Sequence, residues 1–154
     1  RASSQFPRDV LAGKDILMKS PGTQLRSYCY VLDCASAILA VLVNGQCSRA
    51  YNISNPNSVV TIRQMAQAFA DAGNCAVVFE NPTDAEKRSY NLMDNSALEA
   101  GELLALGWYG LFDMSAGAEA TLDAMNNWKE LNKKRRYAYK TLITWLEKDV
   151  KKYA

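Results

Sequence analysis

Between Leu25 and Gly45 the chain passes abruptly from one kind of backbone preference to another. Leu25-Arg26-Ser27-Tyr28-Cys29-Tyr30-Val31 is rich in β-formers and reads as a strand. Ala35 to Val43 is small and aliphatic, broken only by Ser36, and reads as a helix. Asp33 stands at the join, where a carboxylate can accept from the free N–H groups of a first helical turn, so it is expected as the N-cap of a helix over 34–43. Asn44-Gly45 supplies a left-handed stop. A strand feeding directly into a helix commits this region to mixed α and β structure.

The same alternation extends outward. Phe6 to Gly13 reads as a short helix and Ile16-Leu17-Met18 as a short strand, followed by the Pro21-Gly22 turn signal. Ala50-Tyr51-Asn52-Ile53-Ser54 reads as a strand closed by Asn55-Pro56-Asn57. Thr61-Ile62-Arg63-Gln64 is a capping box opening a helix that Gly73 ends, and Ala76 to Phe79 is a strand. Ser96-Ala97-Leu98-Glu99 has the form of a second capping box, with Leu98, Leu103 and Leu106 as a buried stripe and Gly107 as the stop. Asp113 is expected to cap a last helix containing Ala118, Leu122 and Met125. Ala35, Ile38, Leu39 and Leu42 are the predicted core of the central helix. The fold class is therefore α/β (mixed α+β), with helices and short strand pairs.

Charge divides the chain in two. Residues 1–125 carry nine Lys and Arg against thirteen Asp and Glu, a net −4; residues 126–154 carry nine against three, a net +6. The domain reading follows that division: a body over 1–125 and a basic helical tail over 126–154. In the tail Tyr139, Leu142, Ile143, Leu146, Val150 and Tyr153 recur at helical spacing. Lys133-Lys134-Arg135-Arg136 could attract phosphates, anionic lipid or an acidic partner, or simply form a solvated face. An acidic body with no recognisable nucleic-acid module speaks against nucleic acid. No apolar run approaches the length of a membrane span.

Several chemistries are excluded by residue type. The chain has no histidine, which removes the commonest general base and metal ligand. Cys29, Cys34, Cys47 and Cys75 form no C-x-x-C pair, so zinc is not expected, and a reduced, cytoplasmic protein is. Neither G-x-G-x-x-G nor G-x-x-x-x-G-K-[ST] occurs, and no Y-x-x-x-K pair is present. No catalytic, cofactor-binding or metal-binding residue is therefore assigned. Arg26, in a strand between apolar neighbours, can offer a forked pair of donors to a phosphate or carboxylate, or it can pair internally with Asp33. Asn52 is disfavoured in a strand, so it makes a specific hydrogen bond or marks a strand end. Lys87-Arg88 add positive charge or lie on the surface.

The stretch Gly22 to Asp33 resembles the signature G-x-x-x-R-x-(aromatic)-x-(Tyr/His)-V-x-D of the extended short-chain dehydrogenase/reductases, the NAD-dependent nucleotide-sugar epimerases, dehydratases and decarboxylases. Tyr51-Asn52-Ile53, the Thr61-capped helix and Leu106-Gly107-Trp108 are similar to later landmarks of that family, in the same order, across about residues 5–125. The resemblance covers its C-terminal, substrate-binding half, and implies that the Rossmann sheet, the NAD loop and the catalytic pair lie in a missing half. It implies binding of a nucleotide-diphospho-sugar: Arg26 on the diphosphate with the signature aromatic Tyr28 beside it, Asn52 on a phosphate or ribose, and Arg88 as a second phosphate ligand. Arg88 lacks the family's R-x-G-D context, and Gly101-Glu102 stand where Ser-Lys is usual. NAD would serve the intact enzyme, this chain alone being inactive. An apolar face left by the missing half implies self-association into a homo-oligomer. The alternative is a non-catalytic binding or scaffolding module whose basic tail reaches a partner or an anionic surface.

Overall fold

The computed structural model describes residues 2–83 and 93–153, with side chains as far as residue 133. The chain divides into two units, Arg1–Leu122 and Asp123–Ala154. The first contains α1 (Ala2–Leu11), β1 (Ile16–Met18), β2 (Leu25–Ser27), α2 (Val31–Asn44), β3 (Val59–Thr61), α3 (Ile62–Gly73), β4 (Val77–Phe79), β5 (Asn95–Ser96) and α4 (Gly101–Leu104). A final helix, α5 (Met114–Tyr153), opens in the first unit, and its residues from Asp123 onward form the second. This is the expected mixed α/β architecture. No helix among the described residues is long and apolar enough to cross a membrane.

Two small sheets organise the first unit. β1 and β4 pair in parallel, with Ile16 opposite Val77 and Met18 opposite Phe79. β2 is the centre of a three-stranded sheet, antiparallel to β3 and parallel to β5, so Arg26 lies between Val60 and Ser96. The main core gathers Phe6 and Val10 of α1, Ile16 and Met18 of β1, Met65 and Phe69 of α3, and Ala118 and Leu122 of α5. A smaller cluster of Ala37, Leu103 and Trp108 lies under α2.

The capping box at Thr61 forms as predicted: Gln64 N–H donates to Thr61 Oγ1 at 3.1 Å and Thr61 N–H to Gln64 Oε1 at 2.8 Å. Asp113 likewise caps α5, its Oδ1 accepting from Ala116 N–H at 2.8 Å. Other ends differ. At the end of α3 the left-handed residue is Asn74 (φ 52°), not Gly73. Gly73 is small for a different reason, because a Cβ there would collide with Val10 where α1 packs on α3. Gly45 closes α2 in an extended conformation (φ −71°), so the stop is not left-handed. Residues 50–54 form no ladder, and a single 3-10 turn, Pro56–Ser58, follows them. The second expected capping box does not form, because Ser96 pairs with Arg26 in the sheet; α4 starts later, after Ala100, without a side-chain cap. Of the stripe expected there, Leu103 is fully buried, whereas Leu98 is 51% exposed.

The largest departure concerns α2. It begins at Val31, which shortens the expected strand to Leu25–Ser27 and places Asp33 inside the first turn instead of at the cap. The predicted core of this helix is turned outward: Ile38, Leu39 and Leu42 are 50%, 63% and 75% exposed, and Ala35 is exposed too. Its buried side is Asp33 and Ala37. An apolar helix with a narrow buried edge is built to be covered on both sides.

Burial therefore sets the mutational costs. Leu103→Ala is expected to lose about 2–5 kcal/mol of unfolding free energy, and Ile38→Ala about 0.5 kcal/mol or less. Urea denaturation of both variants checks the ranking, and a larger loss for Ile38→Ala would contradict the burial described.

Candidate functional site

Asp33, 1% exposed, faces inward from the first turn of α2. Its Oδ1 accepts from Leu111 N–H at 3.0 Å and its Oδ2 from Phe112 N–H at 3.1 Å. Asn55, fully buried, donates through Nδ2 to Asp33 Oδ2 at 3.3 Å and to Phe112 O at 2.8 Å, and its Oδ1 accepts from Asn57 N–H. Ser58 Oγ donates to the same Phe112 carbonyl at 3.1 Å. Trp108 Nε1 reaches Ser36 Oγ, which in turn donates to Asp33 O. A buried carboxylate is tolerated when several donors face it, and here they lash loop 108–112 to α2. Gly110 is required at this junction, since a Cβ would overlap Asn55 Nδ2 and Asp33 Oδ2. Asp33 is thus a structural tie, which removes it as the internal partner of Arg26.

Arg26 is half-buried at the centre of the three-stranded sheet. Its guanidinium donates to Leu25 O at 2.7 Å and to Met93 O at 2.9 Å. Both acceptors are neutral, and among the described residues no carboxylate pairs with this cation. Three of its five N–H donors are outside those two bonds. Tyr28, two residues on, packs against the main core. Burial pushes its phenol up, and the nearby Arg26 charge offsets part of that rise. Asn52 is exposed and donates through Nδ2 to Glu99 O at 2.9 Å. The bond is the specific one the sequence suggested, made from irregular backbone. Arg88, with Lys87, lies outside the described residues.

Arg26 and Asn52 therefore converge on one segment. Arg26 holds Met93 O, Ser27 Oγ accepts from Leu98 N–H at 2.5 Å, and Asn52 holds Glu99 O. Residues 93–99 bridge the two candidates although they lie between 47 and 71 positions away from their partners in sequence. Nothing in the local sequence signals that bridge, nor the role of Asn55. Two clefts lined by described residues lie elsewhere: one of about 540 Å³ is lined by Lys19, Arg63, Phe79 and Glu80, where the Arg63 guanidinium sits 4.9 Å from the Phe79 ring centre. Another, of about 280 Å³, lies between α2 and Trp108. Arg26 borders neither. Among the described residues no cluster of three or more Cys, Asp or Glu could hold a metal.

All four cysteines are free. Burial pushes the Cys29 thiol up to about 12, with the neighbouring Cys34 adding to the rise and Asp33 contributing least. Cys47 is exposed.

Against this geometry, comparison with known proteins is specific. Residues 1–54 match the NAD dependent epimerase/dehydratase family. UDP-glucuronic acid decarboxylase 5 of Arabidopsis thaliana is 30% identical over 92 residues, covering 57% of this chain and 26% of that protein. The UDP-N-acetylglucosamine 4-epimerase of Bacillus cereus superposes with a TM-score of 0.68 at 16% identity, covering 82% of this chain and 43% of that one. The dTDP-glucose 4,6-dehydratase of Bacillus anthracis, solved in complex with NAD, gives 0.64 at 18% identity, covering 82% and 39%. The fold is thus one shared with nucleotide-sugar epimerases and dehydratases. Over residues 1–54 in sequence, and in its fold, the chain thus resembles the NAD-dependent epimerases and dehydratases. It spans about a quarter of the length of the curated relatives it matches.

Two outcomes follow from the site. Asp33→Asn puts an amide where backbone N–H groups point, and Gly110→Ala inserts a methyl into the same junction; each should cost about 1–3 kcal/mol in urea denaturation, and neutral values would show that the tie is dispensable. The Cys29 shift has a sign. Its folded value lies above the ordinary thiol, so neutral Cys29 favours the fold below about pH 8.5, and this contribution is lost as pH rises toward about 12. Cys29→Ala should flatten the stability curve across that window. At pH 8 iodoacetamide should label Cys47 well before Cys29, and equal rates would contradict the shift.

Proposed function

We propose that this chain is the substrate-binding portion of an NAD-dependent nucleotide-sugar epimerase, dehydratase or decarboxylase, corresponding to the C-terminal half of such enzymes. In this reading Arg26 binds the diphosphate of a nucleotide-diphospho-sugar, with Tyr28 beside it. Asn52 meets a phosphate or the ribose, and Arg88 supplies a second cation.

One observation carries the reading. The Arg26 cation is held in place by two neutral carbonyls and lacks a carboxylate partner among the described residues. A half-buried guanidinium with no counter-charge among the described residues suits a dianionic ligand, because charge-assisted bonds to phosphate are about twice as strong as neutral ones. Asn52 is complementary to it. One amide hydrogen is engaged by Glu99 O, the second can reach a phosphate, and Oδ1 can accept from a sugar hydroxyl. The family-model match over residues 1–54 and the names of the similar proteins support a nucleoside diphosphate as the ligand.

NAD does not fit the residues of this chain. A dinucleotide needs a glycine-rich turn between strand and helix, where bare N–H groups meet the pyrophosphate. The direct strand-to-helix junction here, from β3 to α3, has no glycine, and its first-turn N–H is occupied by Thr61 Oγ1. The cofactor and the hydride chemistry it supplies are therefore assigned to the part of the relatives' fold that has no counterpart in this chain. The exposed apolar face of α2 is where that part would sit; left uncovered, such a face favours self-association. Four free cysteines fit a reducing compartment such as the cytoplasm.

Calorimetric titration with UDP tests the reading. The wild-type chain should bind, Arg26→Ala should weaken binding about ten- to a hundredfold, and Arg26→Lys should recover part of the loss. Undiminished affinity in Arg26→Ala would refute the assignment.

A further inference from the structure

The second unit, from Asp123 onward, is the continuation of α5, and among the described residues it contains no other element. Two of its described large apolar residues are uncovered: Trp128 is 67% exposed and Leu131 60%. A long helix needs a use for such residues, because leaving them in water costs free energy.

Placing the sequence on this helix at about 100° per residue separates it into two faces. Eight of the nine cations in 126–154 fall within one arc of about 160°, including Lys129, Lys133, Lys134, Arg136, Lys140 and Lys151. The opposite arc, also about 160° wide, takes Trp128, Leu131, Leu142, Trp145, Leu146 and Val150. Asn127, Asn132, Arg135 and Asp149 are the polar positions on the apolar arc. Glu130 and Glu147 are the acids on the basic arc.

We propose that residues 126–153 form an interfacial helix that lies flat on an anionic phospholipid bilayer, its apolar arc in the acyl boundary and its basic arc among the headgroups. Charge complementarity selects this occupant. A net +6 spread along the helix opposes a negative leaflet, while tryptophan and tyrosine suit the interface between water and hydrocarbon. A coiled-coil partner is disfavoured: the seam would carry Arg135 and Asp149, and the flanks would repel between copies. A spanning orientation is disfavoured by the same charges, and among the described residues no helix is long and apolar enough to cross. The inference does not depend on the nucleotide-sugar reading.

Cosedimentation of the full chain with phosphatidylcholine vesicles, with and without phosphatidylglycerol, tests it. Binding is expected only with the anionic lipid, and it should weaken steeply between about 0.1 M and 1 M salt as the screening length falls from about 10 Å to about 3 Å. Lys133→Gln, Lys134→Gln and Arg136→Gln together should weaken binding about a hundredfold, from about fivefold per charge. Leu142→Glu with Leu146→Glu should abolish it while leaving the near-ultraviolet circular dichroism of the first unit unchanged. Binding that survives the two glutamates would overturn the proposal. So would absence of binding to either vesicle, or tighter retention on a single-stranded oligonucleotide or in self-association than on the anionic vesicles.

Discussion

The carboxylate of Asp33 decides how the first unit is put together. Buried at the start of α2, it gathers the N–H groups of Leu111 and Phe112 and the amide of Asn55. An ionised group in that position is tolerable only because each oxygen faces a donor. The consequence is geometric. Once loop 108–112 is fixed to α2, Asp113 is positioned to open α5, and the first turns of that helix bring Ala118 and Leu122 to the main core. Phe112 also packs on Tyr30, the residue preceding α2, with the ring centres 4.5 Å apart and the planes tilted by 45°. One acidic residue thereby connects the middle of the chain to its last helix.

The same tie separates structure from function in the signature stretch. With Asp33 committed to the loop, Arg26 has no counter-charge among the described residues and is held there by the carbonyls of Leu25 and Met93. The sheet gives it rigidity, since β2 is flanked on both sides and its neighbours Ser27 and Leu25 are paired. A preorganised cation loses little freedom when an anion arrives, which is the general route to affinity from a single side chain.

Much of the fold could be read directly because its determinants are local. The Thr61–Gln64 capping box and the Asp113 cap each need residues three apart, and both form where the sequence puts them. Strand β1 matched to the residue. Local rules failed where distant partners decide. Ser96 has the form of a cap but is drawn into the sheet by Arg26. Asn55 looks like a turn residue, yet its partners lie 22 and 57 positions away. Ile38, Leu39 and Leu42 have the pattern of a core, and the error there is instructive: periodicity reports that a face is apolar, not that this chain covers it. Among the candidate residues, Arg26 and Asn52 were marked by polarity in apolar or extended surroundings. Their shared segment 93–99 was not, because backbone carbonyls carry no sequence signal.

The most direct measurement is the guanidinium resonance of Arg26 itself. In nitrogen-15-labelled protein titrated with UDP, its Nε–Hε signal should move and saturate in step with the bound fraction. Saturation of binding with that signal stationary would contradict the account.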